Sequence, residues 1–445
     1  MEYLIDIPPA TISGELHMGH MFSYSQMDYM ARYQKMLGNK LVYPFCYDNN
    51  GLPTEKLAQK NGYRTPEAIL AFSNEKAEEY RAMFKTMGLC LDDNTYSTFD
   101  DNAIKLANMS FEDLMQKGLI YKAETEYFWC PITNVSVSQS ELTDDMCYER
   151  SGAKVEIRRG EGYFIKMLDY LPEIRAAIEE IEWHPAHFKH RLLCWIDELK
   201  YDWSISRERT YGIPIPGEPG LVFDTWFTSS LSPQMAYAAY GHEPTLDVPT
   251  FDARFQAHDI IRTWALFTIV KSLYHNGKIP WKKIIISGHA LDKERKKLAK
   301  SSSNYKPLTG HIEKWGNSPI RYWAAQNQIG TDTLMDEDIM LQGKKLLNKI
   351  RNARKFINMQ TDDELNPDWQ SYWDYTKQFI HDDVNNRVDF SSAMKTLTKF
   401  FWNKLCDEYI EENKKNPATG TLKAIMAEVL DYYEIFMPDV NELTS

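Results

Sequence analysis

Two imidazoles, two ammonium groups and one carboxylate have types and spacings suited to chemistry on a charged, phosphorylated substrate. His17-Met18-Gly19-His20 opens a helical pattern whose first turn carries no acid. Free N–H groups and the dipole at such a terminus favour phosphate. Gly19 lets a nucleotide lie close, and His17 and His20 can donate hydrogen bonds to it. Far downstream, Lys296-Lys297-Leu298-Ala299-Lys300-Ser301-Ser302-Ser303-Asn304 follows a strand-like run. A loop of lysines and serines there can neutralise a triphosphate as its charge shifts. Asp48, within Cys46-Tyr47-Asp48-Asn49-Asn50-Gly51-Leu52-Pro53-Thr54-Glu55, is the natural counter-charge for an α-ammonium group.

The elements around these groups bring them to one place. Tyr3–Ile7 alternates and is rich in β-formers, so it reads as a strand, stopped by Pro8 and Pro9, which cannot donate to a ladder. The helix opening at His17 ends at Leu37, with Gly38 as its C′ residue. Leu41–Phe45 reads as a second strand that delivers the Asp48 loop to the same edge, where ligands gather in open α/β sheets. Residues 65–126 are largely helical, with Thr65 as N-cap and Pro66 at the first position, and with Asp100/Asp101 starting another helix. Ile284-Ile285-Ile286-Ser287-Gly288-His289 is a buried-strand run breaking at a glycine. Helical spacing puts Ile260 and Trp264 one turn apart on one face, where they can form part of an apolar wall. From Leu341 the pattern is helical to the end. Leu346, Leu347, Ile350, Ala353, Phe356 and Ile357 form an apolar stripe, and Lys344, Lys345, Lys349, Arg351, Arg354 and Lys355 cover the rest.

These motifs resemble those of the class I aminoacyl-tRNA synthetases. Pro8-Pro9-Ala10-Thr11-Ile12-Ser13-Gly14-Glu15-Leu16-His17-Met18-Gly19-His20 is similar to the family's "HIGH" motif, and its surroundings are similar to the valine branch. The stretch Asp48–Glu55 resembles the D-N-G-L-P-T-E of that branch. Trp203-Ser204-Ile205-Ser206-Arg207-Glu208-Arg209 with Gly212–Pro216 resembles a segment shared by the valine, isoleucine and leucine enzymes. Phe255–Trp264 is the most family-specific stretch. The lysine loop is similar to K-M-S-K-S, with Leu298 and Ala299 replacing the Met and first Ser.

The resemblance implies an α/β fold: a Rossmann-type parallel nucleotide-binding sheet split by a short connective insertion and followed by an all-α bundle. Its parts would be the first catalytic half (1–129), a reduced insertion (130–200), the second half with the lysine loop (201–334) and a truncated anticodon-binding-like bundle (335–445). It implies activation of valine by ATP to valyl-adenylate and transfer to tRNA(Val). In that scheme His17, His20, Lys297 and Lys300 are catalytic, and Thr11, Gly19, Gly288, His289 and Ser301 bind ATP. Pro9, Asp48, Trp226, Ile260 and Trp264 bind the amino acid. Arg207, Arg209, Lys345 and Lys349 meet the tRNA, and Mg2+ accompanies ATP.

The chain departs from the family where relatives carry a zinc element and an editing domain. Only some thirty residues separate Cys130 from Gly162–Lys166, which resembles the family's re-entry, and that is too short for a domain with its own core. The editing domain therefore reads as absent. Six cysteines lie scattered without a C-x-x-C pair, so neither structural zinc nor a disulfide framework is expected.

Composition bounds the rest. The 445 residues allow two or three domains, and 43% hydrophobic with 13% aromatic residues is the make-up of a globular protein rather than a disordered one. No run is long and apolar enough for a membrane, and no basic-flanked signal opens the chain, so a cytoplasmic protein is expected. The net charge of −12 means that nucleic acid must be held by local patches. Two other readings stand beside the first. One is a paralogue activating an aliphatic amino acid for a different acceptor; the other is a silent RNA- or protein-binding module. The oligomeric state is not legible.

Overall fold

In the computed structural model, which describes residues 1–132, 135–137, 142–143, 145–148, 151–298 and 306–444, the expected sheet is present. It has five strands in the order Lys40–Val42, Glu2–Asp6, Phe251–Ala257, Trp281–Ser287, Glu182–His184, and every neighbouring pair is parallel. Ile5, Ala253, Ile284 and Ile286 are fully buried, which is why these strands read as apolar runs. A buried polar knot ties three strands together. Asp6 Oδ2 accepts from Arg254 Nη1 at 2.9 Å, Trp281 Nε1 at 2.9 Å and Ser232 Oγ at 3.1 Å. Removing either charge of such a pair costs roughly 3–5 kcal/mol, because the other is left buried alone.

The prolines interrupt strands without ending their pairing. Past Pro8-Pro9 the first strand resumes as Ala10–Thr11, and past Pro44 the second resumes as Phe45–Asp48. These pieces pair in parallel, Thr11 against Asp48, and Thr95–Ser97 completes a small three-stranded sheet. The single strand expected over Leu41–Phe45 is thus two, because Pro44 has no N–H to give. The opening helix spans Met18–Met36 and ends with Leu37 as C-cap and Gly38 at φ +83°, a left-handed position suited to glycine. Thr65 and Asp100 cap the next long helices, Pro66–Thr86 and Asp101–Gln116.

The insertion starts earlier and ends sooner than its expected limits of 130 and 200. Strand Ile120–Cys130 runs antiparallel to Glu156–Ile165, from Ile120 against Ile165 to Trp129 against Glu156. Val135–Val137 and Trp203–Ser204 flank them. Residues 171–199 instead return to the five-stranded sheet, since Glu182–His184 is its last strand.

The C-terminal part is helical: Glu337–Asn358, Pro367–His381, Phe390–Lys399 and Thr419–Phe436 are its longer α-helices. The apolar stripe on Glu337–Asn358 is buried as expected at Leu346, Leu347, Ile350, Ala353 and Ile357. One continuous apolar core joins the parallel sheet to this bundle. At the junction Asp28, on the opening helix, takes Arg321 Nη2 and Arg32 Nε at 2.8 Å each, while Arg321 Nε donates to Phe436 O at 3.0 Å. Among the described residues no helix is long and apolar enough to cross a membrane.

Candidate active site

The parallel strands Glu2–Asp6, Phe251–Ala257 and Trp281–Ser287 end on one edge of the five-stranded sheet, and Phe45–Asp48 of the small sheet carries Asp48 at its own carboxyl end. His17 is the N-cap of the opening helix and His20 its third residue. Together they form a reciprocal capping box: Gly19 N–H donates to His17 Nδ1 at 3.1 Å, and His17 N–H donates to His20 Nδ1 at 3.2 Å. This differs from the expectation of free amides waiting for phosphate, since those two amides are already taken. The same bonds assign the ring tautomers. A nitrogen that accepts carries no proton, so each imidazole, when neutral, holds its proton on Nε2. The rings lie 4.1 Å apart. A Cβ at Gly19 would meet His17 Nδ1 at 2.9 Å, so glycine is required for the cap to fold over it.

The lysine loop lies over this terminus, with Leu298 O 3.7 Å from the Cβ position of Gly19. Its described part is a tight return: Leu298 N–H donates to Ala290 O at 2.9 Å, and Asp292 Oδ1 holds the amides of Glu294 and Lys296. Lys297 Nζ sits 2.7 Å from Asp259 Oδ2. Burial raises the Asp259 carboxyl, but the charge and hydrogen bond of Lys297, with the nearby His289 and His258, together outweigh it and hold the group below its ordinary value. His289 stands 3.7 Å from the same oxygen, and its pKa is brought down to about 4 by burial first and then by the Lys297 charge. It is therefore a neutral ring at neutral pH. Lys300 and Ser301 lie outside the described residues.

Gly288 has a role other than making room for adenine. A Cβ there would run into the backbone of Thr331 and Asp332, which is the reason for the glycine. Asp332 then takes His289 N–H at 2.8 Å and His258 Nε2 at 2.9 Å.

Asp48 lies at the end of its strand, partly buried, with Thr11 as its register partner. Its Oδ1 accepts from Thr98 Oγ1 at 2.6 Å and from Asn50 N–H at 3.2 Å. Among the described residues no cation pairs with it. Burial pushes the carboxyl above its ordinary range, and the nearby charge of Asp224 adds to this against those hydrogen bonds. A braced carboxylate of this kind gains from an incoming ammonium.

The expected apolar wall is only partly assembled. Trp226 and Pro9 are half-buried, and Ile260 is half-buried at the end of a 3-10 turn, His258–Ile260. Residues Ile261–Ala265 form a π-turn, so the α-helical spacing assumed for Ile260 and Trp264 does not hold. Trp264 is core: 1% exposed, its Nε1 donates to Ser229 O at 2.8 Å, and Arg254 stacks on its ring.

The expected RNA contacts divide. Arg207 is turned inward, 2.6 Å from Asp224 Oδ2 and bonded to Ser204 O and Ser206 O, so an RNA contact is not its role here. Arg209 lines a groove of about 550 Å³ together with Glu55, Trp129, Glu161, Glu208 and Glu218. Lys345 is exposed, and Lys349 lies 3.9 Å from Asp407 and over the Trp402 ring. Sequence reasoning gave no role to Thr98, Asp224 or Asp259. Asp224 and Asp259 had a signal, each an acid just past a strand end.

Comparison with known proteins identifies the family. The family described as tRNA synthetases class I (I, L, M and V) matches residues 1–217 and 220–336, and the anticodon-binding domain of tRNA ligase matches residues 371–442. The valine–tRNA ligase of Rickettsia conorii is 26% identical over 679 aligned positions, covering 99% of this chain and 83% of the relative. That of Ehrlichia canis is 25% identical, covering 99% and 82%. The alignments are far longer than this chain, so the relatives hold long stretches with no counterpart here. Among solved structures, Mycobacterium tuberculosis methionyl-tRNA synthetase bound by methionyl-adenylate has a TM-score of 0.80 at 17% identity, over 100% of this chain and 93% of that one. The Agrobacterium radiobacter K84 agnB2 LeuRS–tRNA–LeuAMS complex has a TM-score of 0.81 at 15% identity, over 100% and 84%. With a match running over most of its residues, the chain belongs to the class I tRNA synthetases, in the group that takes in the isoleucine, leucine, methionine and valine enzymes.

Proposed function

We propose that this class I synthetase activates valine, or an aliphatic amino acid of its shape, to the adenylate and passes it to tRNA(Val) without a fused editing domain. The observation that carries the reading is the Asp48 carboxylate, braced by Thr98 and Asn50 on the strand that pairs with Ala10–Thr11, the strand that leads to the capped helix of His17 and His20. The substrate carboxylate attacks the α-phosphorus of ATP and pyrophosphate leaves. The chain's part is positioning and charge stabilisation. Asp48 holds the ammonium; the Nε2–H groups of His17 and His20 donate to phosphate oxygens; Lys297, released from Asp259, and Lys300 with Ser301 follow the leaving phosphates. Thr11, Gly19 and His289 border the nucleotide, and Pro9, Trp226 and Ile260 border the side chain. Magnesium would accompany ATP and supply counter-charge to its phosphates.

The names of the curated relatives support valine, and the long unmatched stretches in those relatives support the loss of an insertion of domain size. An apolar pocket rejects threonine by only about a hundredfold, so such an enzyme would need tolerance of errors or their correction elsewhere. One observation favours a second acceptor. The groove at Arg209 carries four glutamates against two cations, Arg209 and Lys122, with Lys122 already paired to Glu161 and Glu218; this is a poor match for RNA phosphate and supports transfer to something other than tRNA.

Amino-acid-dependent ATP–pyrophosphate exchange is the test, followed by charging of tRNA(Val). Exchange fastest with valine and charging of that tRNA is the expected result. Exchange without charging selects the second acceptor, and no exchange with any amino acid overturns the proposal.

A further inference from the structure

Helix Leu52–Lys60 follows directly on the Asp48 loop, yet none of its residues belongs to the continuous core that joins sheet and bundle. It rests on two small apolar clusters instead. Ala58 on one face packs with Ile69, Phe72 and Tyr211. Leu52 on another packs with Cys130, Val137, Tyr148 and Ala153, all from the outer end of the insertion. Tyr148 is fully buried in this contact, and Lys56 Nζ stands 5.5 Å from the centre of its ring. Leu52 and Lys56 are four residues apart and so share the helix face that meets the tyrosine. The same short helix touches the acid's backbone: Thr54 Oγ1 donates to Asp48 O at 3.4 Å, and Glu55 N–H closes the first turn on Gly51 O at 3.1 Å.

We propose that Tyr148 is a positioning residue: through Leu52 and Lys56 it seats the helix whose first turn braces Asp48, so that the outer end of the insertion sets how tightly the amino acid's ammonium is held. This rests on the reading of Asp48 as the ammonium's partner. The physical reason is local stability. A nine-residue helix is marginal by itself, and its position is only as firm as the surfaces it packs on. Loss of one of two clusters loosens the first turn while the sheet, with its own core, stays in place.

The test has two readouts on the full chain. In Tyr148→Ala, amide hydrogen exchange at Leu52–Leu57 should speed up by about tenfold or more while the amides of Glu2–Asp6 keep their protection. In pyrophosphate exchange, the KM for valine should rise about 5–10-fold with the KM for ATP unchanged, a split that a general loss of folded enzyme does not produce. Tyr148→Phe keeps the ring and should restore both. Unchanged amide exchange at Leu52–Leu57 in Tyr148→Ala overturns the proposal, as does a rise in both KM values together. Asp48→Asn run beside it separates the two readings. If that change leaves the valine KM alone while Tyr148→Ala raises it, the assignment of Asp48 fails and the seating role of Tyr148 stands.

Discussion

At the sheet edge the Asp48 carboxylate is held by two donors and meets no cation among the described residues, whereas on helix Glu337–Asn358 the guanidinium groups of Arg351 and Arg354 close on carbonyls of the last helix, at Leu443 and Asn441. Both regions look equally charged and equally available in the sequence. The difference lies in what surrounds each group. A strand end at a sheet edge has neighbours on its flanks and solvent ahead, so a carboxylate there keeps an open side. A long helix packed in a bundle meets the ends of other helices, and arginines reach the carbonyls that those ends leave unpaired. Lys344 follows the same rule, donating to Lys314 O at 2.9 Å, while Lys345 stays exposed. Charge on a helix face is therefore weaker evidence of a ligand than one braced acid at a strand end.

Three experiments press on that contrast, from the largest effect to the smallest. Asp48→Asn should lower kcat/KM for the amino acid by about a hundredfold or more, the cost of leaving an ammonium unpaired in a partly buried site, with little change in the KM for ATP. An unchanged kcat/KM would put Asp48 on a par with the committed arginines. The second concerns pH. Burial raises the Asp48 carboxyl, and the ammonium needs its ionised form. The amino-acid KM should therefore begin to rise, as pH falls, at a higher pH than an ordinary aspartate would give, and Asp48→Asn should flatten that limb. A KM that stays level until the ordinary carboxylate range is reached would count against the shift. The smallest effect separates arginine from lysine on the basic helix. Arg351→Ala should cost about 1 kcal/mol of stability and leave the KM for tRNA unchanged. Lys345→Glu should leave stability unchanged, raise that KM several-fold and shallow its salt dependence by about one phosphate contact. Equal effects on tRNA from both would erase the distinction.

Much of the fold was readable because local rules and global packing agree. Apolar runs such as Ile284–Ile286 are buried strands, Thr65 and Asp100 are caps, and Gly38 ends the opening helix. The pieces missed are those where distant segments override a local pattern. The strand Glu182–His184 looks like part of the insertion until it is seen beside Lys283–Ile285. Ile260 and Trp264 have α-helical spacing, but a 3-10 turn and a π-turn separate them, and Arg254 from the neighbouring strand draws Trp264 into the core. Gly288, expected beside ATP, also makes room for the Thr331 backbone, a distant contact that no local pattern announces.

The sequence by itself determined the first strand, the buried run Ile284–Ile286 and the caps of the long helices. These depend on alternation, capping and proline, which act within a few residues. Only the tertiary structure decided which charged groups remain open: Arg207 is taken by Asp224, Lys297 rests on Asp259, and the imidazoles cap their own helix while Asp48 keeps a free side. An ion pair or a capping bond depends on where two distant chains come to lie, and that is set by the packing of the core.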